Sequence, residues 1–289
     1  MLERFSELME GDRAILMPGA GDALTARIIE EAGFEALFTT GYGISASKLG
    51  RPDLGYLTMT EMVERAADII EAVDIPVFVD GDTGYGEEIN VKRTVAEYER
   101  IGAVGLFIED QVWPKRCGHM EGKEIVERDI WLDRLEAALS ARDNPQFKVL
   151  ARTDARNISG LESAIERVQA AVELGVDAVF VESPHSREEL QEVGRRVDDV
   201  PLMANMIRRG RTPIVEREKL EEWGYRLVAY PLTGLYSAAR AMMDSLSELK
   251  EKGHSRDLPS EKTMDFEEFN RLVGLDEELE RWDNLSGRI

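Results

Sequence analysis

The chain has 289 residues, with 57 Asp and Glu against 36 Lys and Arg and a formal net charge of −21. Such a field repels phosphate, which argues against nucleic acid or an anionic membrane surface as a partner and requires any anionic substrate to be met by local cations. A single cysteine excludes an internal disulfide framework and agrees with a reducing cytoplasm; no apolar run approaches the roughly 18 residues that span a bilayer, and Met1-Leu2-Glu3-Arg4 opens no apolar signal core.

Short apolar runs alternate with amphipathic stretches along the whole sequence. The runs fall at 14–17, 36–39, 76–79, 105–108, 147–151, 178–181, 201–204 and 227–230, each followed by a helical pattern. That alternation is expected of a parallel sheet covered by helices, and eight units predict a closed α/β barrel of the (β/α)8 TIM type. Gly33, Gly102, Gly175 and Gly224 each stand just past a helical pattern and before an apolar residue, where glycine accepts the left-handed turn that ends a helix. Ser186 and Glu189 have capping-box spacing and open the helix after the sixth run. No Pro/Gly/Ser-rich linker divides the chain, so 1–289 is expected to be a single barrel domain with a helical extension from about 255.

In such a barrel the chemistry lies at the C-terminal ends of the strands, and polar residues fall there one after another. Thr40, Gly41 and Tyr42 follow the second run, Asp80 and Asp82 the third, and Glu109 the fourth. Arg152 and Asp154 follow the fifth, Glu182 the sixth, Asn205 the seventh, and Pro231 to Thr233 the eighth. The carboxylates of Asp80, Asp82 and Glu109 can converge on a hard divalent cation such as Mg²⁺, directly or through water. Cys117 lies in Lys115-Arg116-Cys117-Gly118-His119, between cations that should depress its pKa and make it a proton donor or nucleophile, with Lys115 and His119 tuning it. The stretch 111–123 is long for a strand-to-helix connection and is expected to act as a lid. Arg152 offers a fork for a substrate carboxylate, with Asn205 and Thr233 as neutral donors and Gly118 grouped with them. Glu182 is either an orienting or an acid–base group. Arg208, Arg209 and Arg211 either recognise a further carboxylate or pair with the acidic surface. His185 and His254 read as surface residues.

These strings resemble the isocitrate lyase/phosphoenolpyruvate mutase superfamily, and within it the methylisocitrate lyase-like group. The resemblance runs from about residue 10 to 275, and Lys-Arg-Cys-Gly-His is its most specific part; 151–156, 180–182, 204–206 and 211–213 support it. It implies the same barrel, with the last helix swapped between subunits of a homotetramer, and Mg²⁺ (or Mn²⁺) held mostly through water at Asp80, Asp82 and Glu109. It also implies a gating loop around Cys117, and backbone N–H groups at Thr40, Gly41 and Tyr42 that meet the carboxylate of an α-keto product. Asp53 matches an acid near the family's site. The implied activity is C–C cleavage of a 2-hydroxy di- or tricarboxylate, foremost 2-methylisocitrate to pyruvate and succinate. The alternatives are dimethylmalate cleavage, oxaloacetate hydrolysis, a phosphoenolpyruvate or carboxyphosphonate mutase, or an inactive barrel that binds a partner. The Cys-Gly-His of the lid disfavours the mutases, and Pro231, where hydrolases tend to carry Ser, disfavours the hydrolases.

Overall fold

The computed structural model of the chain describes residues 1–259 and 263–286. All eight apolar runs are strands: β1 (Ile15–Ala20), β2 (Leu37–Thr39), β3 (Val77–Asp80), β4 (Gly105–Glu109), β5 (Lys148–Thr153), β6 (Ala178–Val181), β7 (Leu202–Asn205) and β8 (Tyr225–Tyr230). They pair in parallel in chain order, and β8 closes on β1 with Ile15 opposite Leu227 and Pro18 opposite Tyr230. The helices between them are α2 (Ala23–Glu31), α4 (Met59–Glu71), α5 (Glu88–Arg100), α6 (Arg128–Ala141), α7 (Leu161–Leu174), α8 (Arg187–Arg196) and α9 (Arg217–Glu222). In addition, α1 (Leu2–Glu10) precedes the barrel, the short α3 (Gly41–Ile44) follows β2, and α10 (Thr233–Lys252), α11 (Phe266–Leu272) and α12 (Leu275–Ser286) follow β8.

Strand residues alternate between two faces, and this period of two places the functional side chains. Val77, Val79, Leu106, Ile108, Val149, Ala151, Val179 and Val181 point outward into the layer shared with the helices. Phe78, Phe107, Leu150, Phe180 and Met203 form the inner core. Two residues beyond each of these stand Asp80, Glu109, Arg152, Glu182 and Asn205, so the inward alternation continues from apolar floor to polar rim. From the opposite end α1 plugs the barrel, Phe5 stacking on Phe78 with ring centroids 6.0 Å apart.

The helix ends follow the local chemistry. Gly33, Gly102, Gly175 and Gly224 adopt φ of 82, 91, 95 and 86°, the left-handed region in which a Cβ is disfavoured. Ser186 caps α8 by accepting from the Glu189 N–H at 3.2 Å, but the capping box is not reciprocal. The Glu189 carboxylate is drawn instead to the His185 N–H and the Arg156 guanidinium.

The last helices depart from the pattern of the first seven units. α10 contains no buried residue, and Met242, Met243, Leu246 and Leu249 form an exposed apolar stripe at helical spacing. Phe266, Trp282 and Leu285 are exposed on α11 and α12. Among the described residues no helix is long and apolar enough to cross a membrane.

Gly105 opens β4 close against β5 and the inner core. A Cβ there would lie 2.5 Å from the Lys148 carbonyl oxygen and 2.9 Å from the Phe78 ring. Gly105→Ala should therefore lower stability by about 1–3 kcal/mol, read as a reduced urea midpoint with an unchanged slope.

Candidate active site

The cavity at the C-terminal rim has an apolar floor of Phe38, Phe107, Phe180, Met203, Ile207 and Ala229. Its polar wall includes Thr40, Tyr42, Asp53, Asp80, Lys115, Cys117, Gly118, Arg152, Glu182 and Asn205, with Pro231 and Leu232 on the β8 side. Most of the residues expected at the strand ends thus share one space. Gly41 takes part through its backbone, its N–H donating to Asp80 Oδ2 at 3.0 Å. Asp82 and Glu109 are fully enclosed next to that space rather than in its wall, and His119 reaches it only through Glu182. Thr233 is exposed at the start of α10 and contributes nothing to the cavity wall.

Arg152 is the centre of the charge pattern. Its guanidinium lies 3.3 Å from Glu109 Oε2, 3.1 Å from Asp154 Oδ2 and 3.3 Å from Glu182 Oε2, and it is 5.2 Å from the centroids of both Phe107 and Phe180. Burial opposes its charge, but Asp154, Glu109 and Glu182 hold its pKa well above the ordinary arginine value. Fork and structural ion pair are therefore the same residue: Arg152 lines the cavity while being fixed from behind.

Glu182 is gripped from several sides, by Arg152, by His119 Nε2 at 3.3 Å, by Asn205 Nδ2 at 3.2 Å and by the Ser183 hydroxyl at 3.1 Å. Burial would raise its pKa, but Arg152 and His119 hold it well below the carboxylate range. A group that ionises so readily holds a proton poorly, so the geometry favours the orienting role over acid–base work.

Lys115 sits 2.6 Å from Asp82 Oδ1 and 2.9 Å from Asp53 Oδ2, both buried. It ties the lid to the barrel, and Asp53 is thereby drawn into the site rather than left in a turn. Cys117 is half-buried and lines the cavity, its N–H donating to the Asp53 carbonyl at 3.3 Å. The expectation of a depressed thiol pKa is corrected here. Burial first, and then the Asp53 charge, push it up from 9.0 to about 11, and Lys115, whose charge is spent on Asp53 and Asp82, offsets only part of this. The thiol is an acid that keeps its proton, which suits donation and not nucleophilic attack.

Among the described residues seven buried acids (Asp53, Asp80, Asp82, Glu109, Asp110, Asp154, Glu182) outnumber five buried cations (Lys115, Lys123, Arg134, Arg152, Arg167). Burial, with Asp82 beside it, raises Asp80 to about 6, and burial raises Glu109 well above its usual value although Arg152 opposes it. Both Glu109 carboxylate oxygens lack a hydrogen-bond donor. Buried acid oxygens without hydrogen-bond donors fit a divalent cation. Among the described residues, however, no three acidic, His or Cys side chains are gathered to enclose a metal ion directly. Of the three expected ligands only Asp80 opens on the cavity, an arrangement that suits Mg²⁺ retaining several waters.

The lid is stitched at its base, where Gln111 pairs antiparallel with Ile125 and the Gln111 side chain binds both the N–H and the carbonyl of Arg116. Arg211 joins it from the loop after β7, its N–H donating to His119 Nδ1 at 3.1 Å and its guanidinium pairing with Glu121 at 3.2 Å. Arg208 and Arg209 are exposed and make no ion pair among the described residues. Sequence reasoning missed three features. The first is the aromatic pair around Arg152, which only the inward register reveals. The second is Asp110, which holds Thr153 Oγ1 at 2.5 Å, the Asp154 N–H at 2.8 Å and Arg167 at 3.2 Å, and whose signal was the acid doublet it forms with Glu109. The third is Lys123, at the far end of the lid.

Comparison with known proteins agrees with this geometry. Residues 5–250 match the family model described as phosphoenolpyruvate phosphomutase. The 2,3-dimethylmalate lyase of Eubacterium barkeri is 44% identical over 273 residues, 94% of each chain. The 2-methylisocitrate lyase of Aeropyrum pernix is 41% identical over 268 residues, covering 93% of this chain and 85% of the relative. A structure of oxaloacetate acetylhydrolase with 3,3-difluorooxalacetate superposes with a TM-score of 0.93 at 34% identity, covering 99% of this chain and 97% of the other.

Because Cys117 is the sole thiol, alkylation reports on it alone. With its pKa raised from 9.0 to about 11, the iodoacetamide rate should still climb about tenfold per pH unit between about pH 9 and 10, where an ordinary thiol levels off. Rates measured across that range at constant ionic strength check this.

Proposed function

The chain belongs to the phosphoenolpyruvate phosphomutase family, and from this we propose that it is a carbon–carbon lyase that cleaves a 2-hydroxy di- or tricarboxylate and releases an α-keto acid. One observation carries the reading: a protonated thiol, a fixed guanidinium fork and an open carboxylate face the same closed cavity.

The keto-acid half of the substrate would lie at Thr40, Gly41 and Tyr42, beside Asp80. A divalent cation, Mg²⁺ or Mn²⁺, held by Asp80 with Asp82 and Glu109 in reserve, would supply electrophilic stabilisation of the hydroxyl and its neighbouring carboxylate. Arg152 and Asn205 receive a carboxylate of the other half. As the hydroxyl proton passes to a base of the cavity wall, Tyr42 in our reading, the C–C bond breaks and its electron pair passes to that half, where the extra negative charge is met by Arg152. Cys117 then gives its Sγ–H proton to the new carbanion centre, and the lid keeps water from delivering that proton first. Glu182 and His119 hold Arg152 and the lid in position.

2-Methylisocitrate, giving pyruvate and succinate, is the leading substrate, in keeping with the relative from Aeropyrum pernix. A second reading, 2,3-dimethylmalate, is favoured by a specific observation: each buried cation at the rim is already engaged by carboxylates, Arg152 by three and Lys115 by two. Among the described residues no buried cation is left without a carboxylate partner to await a third substrate carboxylate. Pro231 brings no hydroxyl to the cavity, which weighs against oxaloacetate hydrolysis. The unpartnered α10 stripe and the exposed aromatics of α11 and α12 support assembly with further copies, a helix-swapped homotetramer in our reading. A cytoplasmic location agrees with the single unpaired cysteine.

A panel of 2-hydroxy di- and tricarboxylates assayed with Mg²⁺ for keto-acid release tests the proposal, and no release from any of them overturns it. Chelation should abolish turnover, Mg²⁺ or Mn²⁺ should restore it, and Asp80→Ala should lose that response. Cys117→Ala should lower kcat by at least about 10³ with little change in KM, since positioned acid catalysis contributes roughly 10²–10⁴.

A further inference from the structure

We propose that Lys123 is the positioning residue of the lid, its buried ammonium group fastening the Gly118 carbonyl to Asp154 and so coupling closure over Cys117 to the orientation of Arg152. The inference rests on the site described above but not on the identity of its substrate.

The Lys123 side chain is 1% exposed and Asp154 is fully enclosed, with Nζ 2.5 Å from Asp154 Oδ1. The same Nζ donates to the carbonyl oxygen of Gly118, the residue next to Cys117. The other oxygen of Asp154, Oδ2, accepts from Arg152 Nε at 3.1 Å. One carboxylate therefore holds the lid through one oxygen and the carboxylate fork through the other. Asp154 is itself rigid, because its N–H donates to Asp110 Oδ1 at 2.8 Å and Asp110 is anchored by Thr153 and Arg167.

Apart from His119, which meets the buried Glu182 at 3.3 Å, the remaining ties of the lid on this side are neutral or exposed. Ser183 Oγ and Asn157 Nδ2 reach the Gly118 carbonyl at 3.3 and 3.5 Å as neutral donors. The Arg211–Glu121 pair is solvent-exposed, with Glu121 89% open, and is screened accordingly. A buried pair behaves differently, since removing one partner leaves the other charged and desolvated. Lys115 ties the opposite limb of the lid but belongs to the cavity wall, whereas Lys123 does not line the cavity and so acts only through Gly118 and Asp154. Gly118 shows how close the fit is: a Cβ there would lie 2.6 Å from both Arg152 Nη2 and the Glu182 carboxyl carbon. A lid held slightly open would withdraw Cys117 from the cavity and deprive Asp154 of the cation that faces it on the side away from Arg152.

The test uses the full-length protein and the lone cysteine as reporter. Lys123→Met and Lys123→Gln should each raise the iodoacetamide rate of Cys117 at pH 8 at least about tenfold, as the lid opens more often. Cooperative melting should be retained, with kcat lowered at least about tenfold and KM changed less. Lys123→Arg, which keeps the buried charge, should recover part of both losses. A folded Met or Gln variant that alkylates at the wild-type rate would overturn the proposal, with or without a loss of kcat. Acceleration accompanied by loss of cooperative melting would also overturn it, placing Lys123 with the barrel rather than the lid. If no substrate is turned over even by the wild type, the alkylation rates still decide the role of Lys123, so the two readings fail separately.

Discussion

A guanidinium with almost no contact with water must be surrounded by countercharge, and the rim of this barrel is arranged around that requirement at Arg152. Removing an ion from water costs several kcal/mol even after relaxation, and an unpaired buried charge is not tolerated. Three carboxylates meet the need, from the ends of β4, β5 and β6. Closure of the parallel sheet makes this possible. Neighbouring strands lie about 4.8 Å apart, and the register sets Glu109 directly beside Arg152 and Arg152 beside Phe180. The rings of Phe107 and Phe180 then confine the cation without adding charge, and all three residues line the cavity.

The countercharge overshoots, and the excess is chemically useful. Burial makes Asp80 and Glu109 resist ionisation, and with seven buried acids against five buried cations among the described residues the rim favours a further cation. Burial, with the Asp53 charge added to it, keeps the Cys117 thiol protonated. A site that binds a cation and retains a neutral acid can meet charge developing at one end of a substrate and quench charge at the other. Glu182 completes the division of labour: its strong pairing keeps it ionised, so the carboxylates of one rim differ in protonation according to their partners.

The lid and the last helices are the two parts the barrel leaves unfinished. Barrel closure fixes the strand ends but does not specify where a thirteen-residue connection settles; buried lysines on both limbs do that. Helices α4 to α8 each bury an apolar stripe against the strands. α10 keeps its stripe in solvent, a surface that oligomerisation would cover.

By itself the sequence determined the fold and most of the rim. Eight apolar runs, four glycines at left-handed helix ends and polar residues after the strands are local signals, and local physics decides them. Asp80, Arg152, Glu182 and Asn205 were legible because the end of an inward-facing strand has few places to go. The pKa of Cys117 was not legible, because neighbours in the chain suggested stabilising cations while the fold assigned Lys115 to Asp53 and Asp82 and left the thiol buried. Thr233 seemed to belong with the donors after β8, yet the turn into α10 carries it to the surface. Lys123, Asp110 and the two phenylalanines around Arg152 acquire their meaning only from contacts between residues 28 to 45 positions apart. Charge in a protein interior is governed by what surrounds it in space, and that surrounding exists only once the barrel has closed.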